Sequence, residues 1–208
     1  MNPIPADFPA LRYNRIRHID EQCLDWRRLI PDEVLQQLGE IFYASQSHQD
    51  FGLALLHRHG RLPSDCVMVH SQDGIQRDIC EMEVNGLRQI FPSSYLLDDT
   101  QFFPFEFSSV ETPTPNSALL QGMAKFLRAH HLEEILGISR ISSDDRLWLE
   151  KIALDGKRLV AEVARLEPDG FDGRFVQTEW AIRRWEDKYV LRALKGCQKP
   201  EVGGHKVT

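Results

Sequence analysis

Short alternating apolar and polar runs, each closed by glycine, proline, asparagine or aspartate, limit most strongly what this chain can become. Residues 51–59 set Phe51, Leu53, Leu55, His57 and His59 against Gly52, Ala54, Leu56 and Arg58. Runs at 66–70 and 77–84 follow, and 102–109 sets Phe103, Phe105 and Phe107 against Pro104, Glu106 and Ser108. Further runs lie at 146–153, 157–166, 174–184 and 189–194, the first two joined through Asp155-Gly156. Period-2 alternation with turn residues between the runs predicts strands, and Asp-Gly between two of them predicts a hairpin.

Only two stretches carry the helical period. Val34, Leu35, Leu38, Ile41 and Phe42 predict a helix over 31–45, opened by Pro31 and Asp32. Leu119, Leu120, Met123, Phe126 and Leu127 predict another over 118–131, with Asn116 or Ser117 as its cap. No strand–helix–strand period is visible, so the expected fold is α+β: mostly antiparallel sheet, with two principal helices. Residues 1–30 are expected to wrap the domain through Phe8, Leu11, Trp26 and Leu29, with one short helix at most. One domain is expected over 31–195, with a sub-boundary at the proline-rich stretch 111–117 and a disordered polar tail over 196–208.

With 208 residues, 42% of them hydrophobic, the chain can bury an ordinary core without staples. A net charge of −6 and the lack of a basic stripe argue against a nucleic-acid partner. The four cysteines, Cys23, Cys66, Cys80 and Cys197, form no paired motif. No run approaches the ~18 apolar residues of a membrane span, and no leader pattern opens the chain. A cytoplasmic protein with no membrane partner is expected, and homo-oligomerisation is compatible with the pattern.

The chemistry concentrates in His57-Arg58-His59. On a strand, residues two apart leave the same face, so both imidazoles project together. Two neutral imidazoles supply half of a transition-metal site, with further ligands available from His70, Glu81, Glu83 or Glu106. The plainer reading is a polar strand end before the turn at Gly60. Glu106, between two phenylalanines, is either an outward carboxylate or a semi-buried acid/base group. Glu150 beside Trp148 and Glu179 beside Trp180 pose the same choice. Nucleophilic roles for Cys66 and Cys80 are disfavoured by their apolar neighbours.

The segments FGLALLHRHGRLPSDCVMVHS (51–71), FFPFEFSS (102–109) and LRAHHLEEILGI (127–138) resemble a mainly fungal group of hypothetical proteins. That group shares an LLHRH strand, a PYEF-like strand and a helix followed by LGL. The resemblance carries over His57, Arg58, His59 and Glu106; Phe105 stands where the group often has tyrosine. It implies segment boundaries and no activity.

Two functions are therefore expected as alternatives. In the first, a small molecule is bound or transformed by His57, His59 and Glu106, with Arg58, Phe103, Phe105 and Trp148 as ligand-binding residues. A divalent transition metal on His57, His59 and His70 would belong to this reading. In the second, a non-catalytic module docks a protein partner through an aromatic sheet face.

Overall fold

The computed structural model describes residues 8–18, 29–73, 76–84, 89–141, 147–155, 158–165 and 175–198. Three helices are present among them: α1 (Phe8–Arg15), α2 (Asp32–Ala44) and α3 (Ser117–Ala129). The strands are β1 (Phe51–Leu55), β2 (Cys66–Asp73), β3 (Gln76–Glu83), β4 (Phe91–Asp98) and β5 (Gln101–Ser108). They continue with β6 (Leu136–Arg140), β7 (Trp148–Asp155), β8 (Arg158–Arg165), β9 (Phe175–Trp185) and β10 (Lys188–Gln198).

The strands close into a barrel in the order β1-β6-β4-β5-β2-β3-β8-β7-β10-β9, with β9 returning to β1. The α+β expectation holds, but the sheet is mixed. β2 runs parallel to β5 and β7 runs parallel to β10, while the other neighbours are antiparallel. Closure pairs strands from both sides of 111–117, as in β1 with β6 and β3 with β8. The expected β7–β8 hairpin forms with Asp155 opposite Arg158; its turn, 156–157, lies outside the described residues. Residues 196–198, expected in the tail, belong to β10, and the rest of that tail lies outside the described residues.

The two long helices cover part of the outer wall. Leu35, Leu38 and Phe42 of α2 and Leu119, Met123 and Leu127 of α3 pack on Phe51, Leu53, Leu55, Tyr95, Ile138, Trp180 and Ile182. Acidic Asp32 and Glu33 favour the positive end of α2. The Asn116 carboxamide caps α3 by accepting from Leu119 N–H at 2.9 Å, and its Nδ2 donates to Ser45 O at 2.8 Å, tying the helices together. Gly52 lets β1 lie close to β9: a Cβ there would overlap the Trp180 carbonyl and the Ile141 side chain.

Alternation turns the opposite faces inward. Met68, Ile79, Leu96, Phe105 and Trp148 form an inner cluster, into which α1 inserts Ala10, Tyr13 and Ile16. Helix α1 thus closes part of the barrel from within, while its Leu11 and Arg15 remain exposed. Phe105 joins this inner cluster, whereas Phe107 packs outside with Val67 and Val69. The three phenylalanines therefore do not share one face. The register explains it: Ser94 faces Glu106 and Tyr95 faces Pro104, so Phe105 is an extra residue, and a bulge of this kind breaks the alternation.

Candidate metal centre

Strand β1 ends at Leu55, so His57 and His59 lie beyond the ladder rather than on it. Leu56 N–H still donates to Ile135 O at 2.8 Å, but Arg58 N–H turns to Arg17 O at 3.0 Å, in a parallel bridge with His18. The two imidazoles nevertheless meet, with ring centroids 4.8 Å apart and the planes near perpendicular. Both side chains are buried.

The carboxylate they meet is Glu150, not Glu106. Glu150 Oε2 stands 3.7 Å from His57 Nε2 and 3.4 Å from His59 Nε2. Cys197, directly opposite Glu150 across the parallel β7–β10 pair, adds its thiol. The Cys197 Sγ lies 3.2 Å from His57 Nε2 and 2.5 Å from Glu150 Oε2. One donor atom from each of His57, His59, Glu150 and Cys197 falls within 4.8 Å of the others.

The protonation pattern suits coordination. His57 Nδ1 lies 2.8 Å from Leu55 O, and a carbonyl only accepts, so Nδ1 carries a proton and Nε2 is the nitrogen that faces the cluster. Burial holds His59 below the ordinary imidazole pKa and therefore neutral. Among the described residues, neither ring nitrogen of His59 finds a hydrogen-bond partner, although the side chain is only 1% exposed. Burial pushes the Glu150 carboxyl up, but Lys195 and the two histidines outweigh it and hold the group well below the usual carboxylate range. Lys195 Nζ lies 2.9 Å from Glu150 Oε1. Burial, then Glu150, pushes Cys197 well above the ordinary thiol range, so the thiol donates to the Glu150 carboxylate.

A second polar group runs around the inner wall. His70 Nε2 lies 3.2 Å from Glu106 Oε2, which also accepts from Ser94 Oγ at 2.9 Å. Ser94 meets Ser139 at 3.3 Å, and Ser139 Oγ donates to Glu179 Oε2 at 2.9 Å. Glu179 lies 3.9 Å from Lys195 Nζ, which returns the chain to Glu150. Burial tends to raise the Glu106 pKa, but His70 reverses this and brings it to about 2; Glu179, where burial prevails, is raised.

The sequence-expected site is thus divided. His57 and His59 come together, while Glu106 and His70 pair with each other elsewhere on the inner wall. Arg58 points away from the imidazoles, its Nε donating to Ile16 O at 2.8 Å. Phe105 and Trp148 lie in the inner apolar cluster, and Phe103 stacks under the Arg12 guanidinium at 3.7 Å. Phe105, Phe107 and Trp148, the aromatic residues of the expected sheet face, are all buried. Glu150 and Cys197 were the residues that sequence reasoning did not join to the histidines. The signal was there in alternation: WLEKI places Glu150 on the face of buried Trp148, and LKGC places Lys195 and Cys197 on one face.

No family model matches this chain, and no curated protein or solved structure matches it either. Among the described residues, no helix is long and apolar enough to cross a membrane.

Proposed function

We propose that this barrel binds a divalent transition metal, zinc above others, through His57 Nε2, His59 Nε2, Glu150 Oε2 and Cys197 Sγ. The observation that carries the reading is the buried convergence of these four donor atoms within 4.8 Å, with neither His59 nitrogen hydrogen-bonded among the described residues. A mixed nitrogen, oxygen and sulfur set suits zinc, whose bonds of ~2.0–2.3 Å imply ligand separations of roughly 3.3–3.6 Å in a tetrahedron. Of the separations about the histidines, 3.4 Å lies in that range and 3.2 and 3.7 Å lie just outside it. The shorter Cys197–Glu150 contact is a thiol hydrogen bond, and it opens when the ion replaces the thiol proton. Two neutral imidazoles, a carboxylate, a thiolate and a dication sum to zero charge, which a buried site favours.

Four protein ligands make this a closed site, the type in which zinc stabilises the fold. Elemental analysis of the purified protein, before and after reconstitution with zinc, tests the reading. One equivalent of metal per chain is expected, and it disappears in Cys197→Ala. Uptake equal in both proteins would overturn it.

A second reading, acid/base work on a small molecule by His70 and Glu106, is favoured by one observation. The His70 side chain keeps 27% exposure while it contacts buried Glu106, so this pair meets solvent and the metal cluster does not. Under this reading Glu106→Gln retains zinc and loses small-molecule binding.

A further inference from the structure

The four donor atoms are held by two different parts of the chain. Glu150 and Cys197 sit in register on the β7–β10 ladder. His57 and His59 do not, because β1 has ended and, among the described residues, the backbone between them pairs only through the isolated bridge of Arg58 with His18. What holds it is the segment 13–18. Arg58 N–H donates to Arg17 O at 3.0 Å, and Arg58 Nε donates to Ile16 O at 2.8 Å. His59 N–H donates to the Tyr13 hydroxyl at 3.2 Å, and His18 Nε2 reaches His59 O at 3.1 Å. Asn14 closes the clamp by bonding both the N–H and the C=O of Leu62, each at 2.8 Å. Every one of these bonds falls on 58–62, within or directly after the histidine pair.

We propose that residues 13–18 position the imidazoles of the metal centre, and that metal occupancy in turn locks this segment onto the barrel. The inference rests on the metal reading above. Tyr13, Asn14 and His18 are positioning residues: none supplies a donor atom to the cluster, and each acts through the backbone of 58–62. Tyr13 is also fully buried beneath α1, so the segment cannot lift without withdrawing that ring from the inner cluster. Because all four ligands are buried, an ion enters or leaves only when something covering them moves. Segment 13–18 is held to the histidine backbone by these few bonds, whereas the ladders beneath run through whole strands. Reciprocity follows from linkage: by whatever factor docking of 13–18 raises metal affinity, metal raises docking by the same factor.

Two arms test this. In the first, zinc affinity is measured by competition with a chromophoric chelator. Asn14→Ala and Tyr13→Phe should each weaken binding by roughly five- to thirty-fold, the worth of one or two hydrogen bonds, with an unchanged far-ultraviolet spectrum of the metal-free protein. Asn14→Asp, which keeps the acceptor for Leu62 N–H, should fall between Asn14→Ala and the parent. The second arm needs no variant that threatens folding. Arg15 and Arg17 are exposed trypsin sites on the segment itself. Saturating zinc should slow cleavage after both by about tenfold or more in the parent, read by mass spectrometry, and should not slow it in Cys197→Ala. A parent that binds zinc while its cleavage after Arg15 and Arg17 and the affinity of Asn14→Ala stay unchanged overturns the coupling and leaves the metal centre standing. A parent that binds no zinc overturns both.

Discussion

Glu150 and Cys197 face each other across the parallel β7–β10 junction, and the Cys197 thiol donates to the Glu150 carboxylate. A proton shared between a carboxylate and a thiol is what a dication displaces. The same carboxylate uses its other oxygen to hold Lys195, so Glu150 is charged and compensated.

That compensation sets a stability difference between two buried carboxylates. Glu150→Gln leaves Lys195 with a weakened partner in the interior and should cost the metal-free protein about 3 kcal/mol. Glu179, raised above the ordinary range by burial, is closer to neutral already, and a glutamine oxygen there can still accept from Ser139 Oγ. Glu179→Gln should cost less than about 1 kcal/mol. Urea unfolding of both variants without metal checks the order, and equal losses would contradict it.

His59 should show the opposite sign for stability and for metal. Among the described residues neither nitrogen of its buried imidazole makes a hydrogen bond, Nε2 reaching Glu150 Oε2 only as a 3.4 Å contact, and a buried polar group left so costs roughly 1–3 kcal/mol. His59→Leu is therefore expected to unfold at a higher temperature than the parent when both are metal-free, and to bind no zinc. A variant that loses stability in the metal-free state would make His59 a structural residue.

Glu106 should govern part of the acid limb. Its folded pKa of about 2 lies below the unfolded value of roughly 4.3, so its contribution is fully present above that value and drains as pH falls toward 2. The contribution is on the order of 3 kcal/mol. Glu106→Gln should flatten the stability profile between those two pH values. His70→Ala, which removes the main cause of the depression, should move the acid transition to higher pH. Thermal unfolding across this range checks both, and an unaltered slope in Glu106→Gln would contradict the assignment.

Gly52 carries the closure of the barrel. A methyl group there overlaps the Trp180 carbonyl, which belongs to a laddered strand and cannot swing aside as a flexible side chain can. Gly52→Ala should cost about 1–3 kcal/mol, measured by chemical denaturation. A neutral substitution would mean that β1 and β9 can part.

Local patterns made most elements legible. The cap at Asn116, the apolar stripes of α2 and α3, and the alternation of β2, β3, β5, β7 and β8 all came from residues near in sequence. FPSSYLLD (β4) and LGISR (β6) escaped, because three serines, a proline and a glycine hide their period. Barrel closure escaped too, since it depends on β1 finding β9, far along the chain. The histidine pair was visible as a motif, but its carboxylate was not. Choosing Glu150 over Glu106 needs the register of β7 on β10 and the bulge at Phe105, neither of which leaves a local signal. The end of β1 at Leu55 was hidden for a related reason: alternation continues through His59, while the partner strand does not.

Cobalt titration tests the ligand set most directly, because its visible spectrum reports both coordination geometry and thiolate bonding. One equivalent of Co2+ should give the intense bands of a tetrahedral centre together with a thiolate-to-cobalt band that is missing in Cys197→Ser. A weak octahedral spectrum, or the same spectrum in parent and Cys197→Ser, would contradict a metal held by His57, His59, Glu150 and Cys197.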